Sequence, residues 1–370
     1  MKKLPEKVNT VLFGGFIGAF MLGGAAMPDK VFSEMENRAL QQQPVFTASG
    51  LLAGTFADET ERYLADQFIL RDECVEAKTV LDAIAGKKEF NGVYLTGGRL
   101  IERVDAPEEA KLTTNIAAVK HLASIIDTPL TLALAPTAAD VYKETLPAGA
   151  PSADQQALLE RIARETGVPN ADLASALRSH KDEYIFYRTD HHWTTLGAYY
   201  GAEALLESLG KDIAPLSSYK PERVTEDFNG TLYSSSGVRT VKPDAIDIYV
   251  PQGDAVLESW RNGAPEEEPL YDRTWLDKKD KYSMFLGGNQ PLAVIRTGNP
   301  GGKLLLVRDS YADCLAPFLM EQYSEIHLFD ARYFKQPLSS YIAQHDIDET
   351  VLLFSLKNFI ADTSLQMVCK

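Results

Sequence analysis

The stretch KLLLVRDSYADC, Lys303–Cys314, decides the fold class of this 370-residue chain. Leu304–Val307 are apolar and run straight into Arg308, Asp309 and Ser310. An apolar run without alternation suits a strand buried on both faces, as in a parallel sheet, and the abrupt polar turn marks its carboxyl end. The neighbours repeat the pattern: CLAPFLMEQY predicts a short helix, EIHLFD a strand, PLSSYIAQHD a helix and TVLLFSL a further strand. Strand–helix alternation of this kind predicts a three-layer α/β domain on a mostly parallel central sheet.

Working upstream, TPLTLALAP reads as another strand buried on both faces, and ADQQALLERIARETG as a helix ended by Gly167. DEYIFYRTD predicts a short strand, and HHWTTLGAYYGAEALLESLG a helix with Leu196, Tyr199, Ala204 and Leu205 on its inward stripe. FNGVYLTGGRLIERV predicts a hairpin, PEEAKLTTNIAAVKHLASIID a helix, and TFADETERYLADQFILRDECVEAKTVLDAIAG one or two amphipathic helices. From 217 to 288 the periodicity is weak, and this region predicts an insertion with some strand content that shapes a rim or cleft, not a separate domain.

A hydrophobic fraction of 45% over this length can bury a large core. The formal charge of −15 disfavours a nucleic-acid backbone or an anionic membrane surface as partner. Cys74, Cys314 and Cys369 are far apart and form no CxxC spacing, so neither a zinc site nor a disulfide framework is supported. At the amino end, Lys2, Lys3 and Lys7 precede the apolar run VLFGGFIGAFMLGGAAM, Val11–Met27. Basic residues before such a run mark residues 1–27 as a signal peptide or N-terminal membrane anchor and place the rest outside the cytoplasmic membrane, secreted or tethered. The run is somewhat short for a full span of about 20 residues, and a buried N-terminal helix is the alternative.

Two segments carry chemistry at predicted strand ends, where open α/β sheets collect their binding groups. One is Asp309-Ser310, outside the GxSxG pattern of a nucleophile elbow. By spacing alone, a serine here caps a turn more often than it attacks a carbonyl. The other is Asp190-His191-His192-Trp193. An i,i+2 pair does not share a helix face, so Asp190 and His192 meet only if Asp190 lies in a non-helical lead-in and His192 in the first turn. Asp190 could then orient His192 toward a nucleophile, or it could simply cap the helix. Two histidines and a carboxylate also have the composition of a metal facial triad, although adjacent histidines lack the i,i+4 spacing that converges on one ion.

Taken together, DHHW followed by TTLGAYYGAEALL and a distal VRDSY closely resembles the bacterial DHHW family, which is related to SGNH-like polysaccharide O-acetyltransferases, including those acting on alginate. SEMENRAL, ADQFILRDE, FNGVYLTGGRL and FLGGNQPL extend the resemblance over most of the chain after the leader. It implies a single SGNH-hydrolase-like domain over 28–370, interrupted by the insertion at 217–288. It further implies Ser310 as nucleophile, His192 as base and Asp190 as its orienter, with His191 outside the triad. Trp193 would pack beneath the imidazole or line the cleft. The Ser310 N–H, with Asn289 or the backbone at Gly287 or Gly288, would form the oxyanion hole, and Arg308 could meet an anionic sugar. Asp309 could bond the turn, while Asp330, Arg332 and Tyr333 could border the cleft. No cofactor is implied. The expected partners are a polysaccharide or glycan acceptor and a membrane protein supplying acyl groups. The competing reading is a non-catalytic glycan-binding or cell-envelope assembly protein that retains the fold.

Overall fold

The computed structural model describes residues 3–33, 35–36, 38–251 and 253–370. Lys2 of the basic leader and Glu34 and Asn37 of SEMENRAL lie outside the described residues. The chain forms two compact units, Met1–Phe90 with Ser234–Arg239, and Asn91–Tyr233 with Thr240–Lys370.

The first unit is helical. Its first helix, Lys3–Ala26, carries the apolar run, and no helix among the described residues is long and apolar enough to cross a membrane. The predicted amphipathic stretch forms two helices, Thr55–Asp66 and Arg71–Ile84. Asp66 accepts from Arg38 Nη1 at 2.9 Å and from the Gln41 N–H at 2.8 Å, while Arg71 reaches Glu36 at 2.9 Å.

The second unit is built on a seven-stranded sheet: β1 (Leu130–Ala135), β2 (Ala255–Ser259), β3 (Glu266–Glu268), β4 (Leu292–Thr297), β5 (Gly302–Arg308), β6 (Tyr323–Phe329) and β7 (Glu349–Ser355), in the order β3-β2-β4-β6-β5-β7-β1. The half β6-β5-β7-β1 is parallel, with Leu306 paired to Leu328 and to Val351. Its strands are apolar without alternation because both faces are covered: Leu304–Val307 and Val351–Leu353 have no exposed surface. The half β3-β2-β4-β6 is antiparallel, so the sheet is mixed, with as many antiparallel as parallel pairings where a mostly parallel sheet was expected. Two of its strands, β2 and β3, come from the inserted segment 217–288, where some strand content was expected, and they extend the central sheet itself.

Helices flank the sheet in two packed groups: α1 (Glu109–Ile125) with α2 (Gln155–Thr166), α5 (Leu338–His345) and α6 (Leu356–Ala361), and α3 (Leu173–Ser179) with α4 (Thr195–Ser208). Thr194 caps α4 by accepting the Gly197 N–H, and Gly167 ends α2 in the left-handed conformation. The predicted hairpin pairs Val93–Thr96 with Arg99–Glu102. CLAPFLMEQY forms a 3-10 helix, Ala316–Gln322. All three cysteines are free, with Cys314 and Cys369 buried.

DEYIFYRTD departs from expectation, forming no strand. The chain doubles back, with Phe186 bridged to Trp193, the Thr194 N–H donating to the Ile185 carbonyl and the Tyr187 N–H to the His192 carbonyl. Asp244, buried on the next hairpin (Lys220–Phe228 with Asp244–Val250), ties this loop down by accepting the N–H groups of Arg188 and Thr189 at 2.8 Å. His192 therefore stands before α4, in the loop, and not in a first helical turn.

Candidate active site

The two predicted segments meet. Beyond β5 the chain turns through a short 3-10 segment, Ser310–Ala312, held by Asp309. That buried carboxylate accepts the Tyr311 N–H at 3.0 Å, the Ser355 N–H at 2.9 Å and Asn358 Nδ2 at 2.7 Å, which fastens the turn to the end of β7 and the start of α6. Ser310 is thereby left partly exposed at the edge of a fixed turn, and its own backbone N–H makes no hydrogen bond among the described residues.

His192 Nε2 lies 2.7 Å from Ser310 Oγ, and its Nδ1 lies 2.6 Å from Asp190 Oδ1. An ionised carboxylate only accepts, so Nδ1 carries the proton and Nε2 is the acceptor facing the hydroxyl. The imidazole is almost fully buried and stacks on the ring of Tyr282, centroid to centroid 3.8 Å, with planes 8° apart. Tyr282 in turn donates from its hydroxyl to the Ser310 carbonyl at 3.0 Å, so one side chain braces both residues.

Asp190 is secured on its other oxygen by Thr231, through the backbone N–H at 2.8 Å and Oγ1 at 3.0 Å. Gly230 makes this approach possible: a Cβ there would stand 2.3 Å from Asp190 Cβ. Burial pushes the Asp190 carboxyl up, but the imidazoles of His191 and His192 and the bonds from His192 and Thr231 outweigh it and hold the group well below the usual carboxylate range.

His191 turns away from Ser310. Its Nδ1 meets Thr231 Oγ1 at 2.7 Å, and burial followed by the neighbouring His192 pushes its imidazole below the usual value. Asp190, His191 and His192 bring possible metal-ligand atoms within 4.8 Å of one another. Within the cluster Asp190 Oδ1 is bonded to His192 Nδ1, His192 Nε2 to Ser310, and His191 Nδ1 to Thr231.

Several expected roles change. Trp193 does not line a cleft or lie under the imidazole; it has no exposed surface, and its Nε1 donates to the Tyr311 carbonyl at 3.0 Å, bracing the serine turn from the core. Arg308 cannot meet a sugar, because it is wholly buried beside Asp313, Nη1 to Oδ1 2.6 Å. The Gly288 N–H is spent inside a turn, donating to the Phe285 carbonyl at 3.1 Å, and with φ of 83° the residue serves the turn geometry. Asn289 is exposed; its Oδ1 accepts from Arg332 Nη2 at 3.0 Å, and its Nδ2 donates to no described residue. Arg332 is itself paired with Asp330 at 2.6 Å. Tyr282, Gly230, Thr231 and Asp244 went unnoticed in the sequence.

A serine at the end of a central strand, an Asp–His pair brought to it from a loop, and helices flanking the sheet are the features of the SGNH-like class. The chain belongs to the DHHW protein family, matching it over residues 106–329. It is 29% identical over 189 residues to the probable alginate O-acetylase AlgJ of Pseudomonas aeruginosa, a match that covers 47% of each chain. The chain thus spans about half the length of that curated relative. Among solved structures, a DHHW family protein from Eubacterium siraeum superposes with a TM-score of 0.64 at 26% identity, covering 75% of this chain and 95% of the other. PatB1 of Bacillus cereus superposes equally well, 0.64, at 17% identity, covering 75% and 99%, a likeness of fold alone.

Proposed function

We propose that this protein is an extracytoplasmic O-acyltransferase or acetylesterase acting on a cell-surface or secreted polysaccharide, with Ser310 as nucleophile, His192 as general base and Asp190 as the group orienting the imidazole. The observation that carries this reading is the unbroken hydrogen-bond chain from Asp190 through His192 to Ser310, 2.6 and 2.7 Å long. Family membership and the partial likeness to a probable alginate O-acetylase support ester chemistry on a polysaccharide. The basic leader with its apolar run supports export, either cleaved or as a tether.

In the first half-reaction His192 Nε2 takes the Ser310 proton as Oγ attacks the acetyl carbonyl. The Ser310 N–H and Asn289 Nδ2 are the donors nearest in kind to what the developing oxyanion needs. The tetrahedral intermediate collapses to acyl-serine, and the imidazolium returns its proton to the departing alkoxide. In the second half-reaction His192 deprotonates a sugar hydroxyl, which takes the acyl group and regenerates Ser310. Water in the sugar's place makes the same site an esterase. A membrane protein that hands over acyl groups is the partner this scheme calls for in the transferase case.

Treatment of the intact protein with a serine-reactive phosphonate, followed by peptide mass spectrometry, tests the assignment. Label on Ser310, with small-ester turnover lost in Ser310→Ala and His192→Ala, is expected. Label elsewhere, or turnover that survives both substitutions, overturns it. Acetylated product on added oligosaccharide separates transfer from hydrolysis.

A further inference from the structure

The antiparallel half of the sheet carries a cavity of about 510 Å³ that the serine chemistry does not use. Its floor is one sheet face. Leu292, Val294 and Arg296 of β4 stand opposite Phe329, His327 and Glu325 of β6, and cross-strand partners share a face. Its walls are aromatic: Trp260 after β2, Tyr333 and Phe334 after β6, and Tyr341 of α5. Register places one end of the cavity, at Pro291 and Leu292, at the serine's end of the sheet. Val307 of β5 pairs with Phe329, and Phe329 pairs with Leu292, so Ser310 and Pro291 both lie just past the same row, two strands apart. Two strand spacings are about 10 Å, within reach of a bound oligosaccharide that presents one hydroxyl to Ser310.

The walls and the charges together select a ligand. Flat rings with a few hydrogen-bonding groups between them suit a pyranose, which has apolar C–H faces and polar edges. The arginines around the cavity are committed to carboxylates, while Lys335, between the lining residues Phe334 and Gln336, donates to the Ala331 carbonyl at 2.6 Å, and Lys303 donates to the carbonyl of His345 at 3.0 Å. Arg296 lies between Glu258 at 3.0 Å and Glu325 at 2.8 Å. Arg261 contacts Glu268 at 3.2 Å and donates to the carbonyls of Gly287 and Asn289. His327 is enclosed between the Tyr341 hydroxyl at 2.7 Å and Glu325 at 3.0 Å, and burial pushes its imidazole down to about 4, so it stays neutral near pH 7. Arg332, at the corner toward Ser310, is held by Asp330. A carboxylated sugar entering here would meet arginines already neutralised by carboxylates and an uncharged imidazole, on a chain whose formal charge is −15.

We infer that the cavity between β4, β6 and α5 is the glycan-binding subsite and that it takes a neutral oligosaccharide, not a polyuronate. This rests on the proposed reading of Ser310 as the acylated residue of a glycan-modifying enzyme, and the two can be separated by experiment. In the full chain carrying Ser310→Ala, tryptophan fluorescence and calorimetry are recorded during titration with a hexamer of glucose, a hexamer of N-acetylglucosamine and a hexauronate. Saturable binding of a neutral hexamer is expected. Trp260→Ala should weaken it by about tenfold or more, the loss of one stacked aromatic face, while Trp260→Phe should restore most of it. The hexauronate should not compete. Neutral binding that is absent or indifferent to Trp260→Ala, or hexauronate binding of equal strength, overturns the inference. Phosphonate labelling of Ser310 in the unsubstituted protein reports on the enzymatic reading independently. A labelled Ser310 without glycan binding sinks the subsite alone, and an unlabelled Ser310 with Trp260-dependent binding supports the subsite while removing the enzyme.

Discussion

Asp190 and Asp313 are both buried, both stand near His192, and both have cationic or imidazole neighbours, yet they are held in opposite ways. Asp190 receives four donated hydrogen bonds, two from His192 and two from Thr231, and is kept ionised. Asp313 has the closer full charge, Arg308 Nη1 at 2.6 Å, but Asp313 Oδ1 and the three Arg308 guanidinium nitrogens make no aligned hydrogen bond among the described residues. Burial accordingly pushes its carboxyl up to about 7 against the pull of Arg308 and His192. Proximity of opposite charge is not enough to hold an ion out of water; directed donors are. The carboxylate that touches the His192 imidazole is the one with the donors.

The largest effect expected from breaking this contrast is on turnover. Asp190→Asn keeps the shape but offers His192 Nδ1 the wrong partner, and kcat on a small acetyl ester should fall by roughly three to four orders of magnitude with the fold intact by circular dichroism. Thr231→Ala removes only the hydroxyl donor and should cost about tenfold. If both variants retain wild-type kcat, Asp190 does not orient the base.

Next in size is stability. Asp313→Ala leaves Arg308 charged and buried alone and should destabilise by about 3–5 kcal/mol in denaturant unfolding. The double variant Arg308→Met/Asp313→Leu removes both charges and should unfold within ~1 kcal/mol of wild type or above it. A double variant as unstable as the single one would mean that the pair contributes something beyond mutual neutralisation. The same removal at Asp190 should cost turnover as well as stability, because its four donated hydrogen bonds would be lost.

How far the sequence revealed this site depends on where each partner comes from. Ser310 was legible because Leu304–Val307 announce a buried strand and Asp309 an abrupt turn. Asp190 and His192 were legible because they stand two apart in a segment poor in alternatives. Thr231 and Gly230 were not, since they lie some forty residues downstream in a stretch without periodicity, and nothing local marks FNGT as the cradle of a carboxylate. Tyr282 is similar: its stacking on His192 is a tertiary contact with no sequence spacing behind it. The edge strand β3 was hard to place for another reason. Edge strands are commonly charged to prevent further pairing, and Glu266–Glu268 therefore reads as a loop while forming the sheet's end. The double-back at Ile185–Thr194 looked like a strand because its apolar side chains are buried, but its backbone bonds run to itself, to Asp244 and singly to the N–H groups of Leu100 and Tyr233, without forming a ladder.

The smallest expected effect is a slope. Below its ordinary value of 3.8 the Asp313 carboxyl is protonated whether the chain is folded or not; between there and about 7 only the folded chain holds the proton. The stability this contributes is therefore complete in acid and is lost as pH rises to about 7, by at most ~1.4 kcal/mol per pH unit. His327 works in the opposite sense: its imidazole is pushed from 6.5 to about 4, so the folded chain binds fewer protons in that interval and stability rises with pH across it. Asp190, depressed in the folded state, holds its contribution throughout this range and loses it only further into acid. The raw pH profile mixes these terms, but the difference between wild type and Asp313→Asn isolates one of them. Unfolding free energies measured from pH 4 to 8 should show wild type losing stability relative to the variant as pH rises, with the difference levelling off above about pH 7. Parallel profiles would mean that Asp313 is ionised throughout, and Arg308 would then be holding its partner as firmly by charge alone as Thr231 and His192 hold Asp190 by hydrogen bonds.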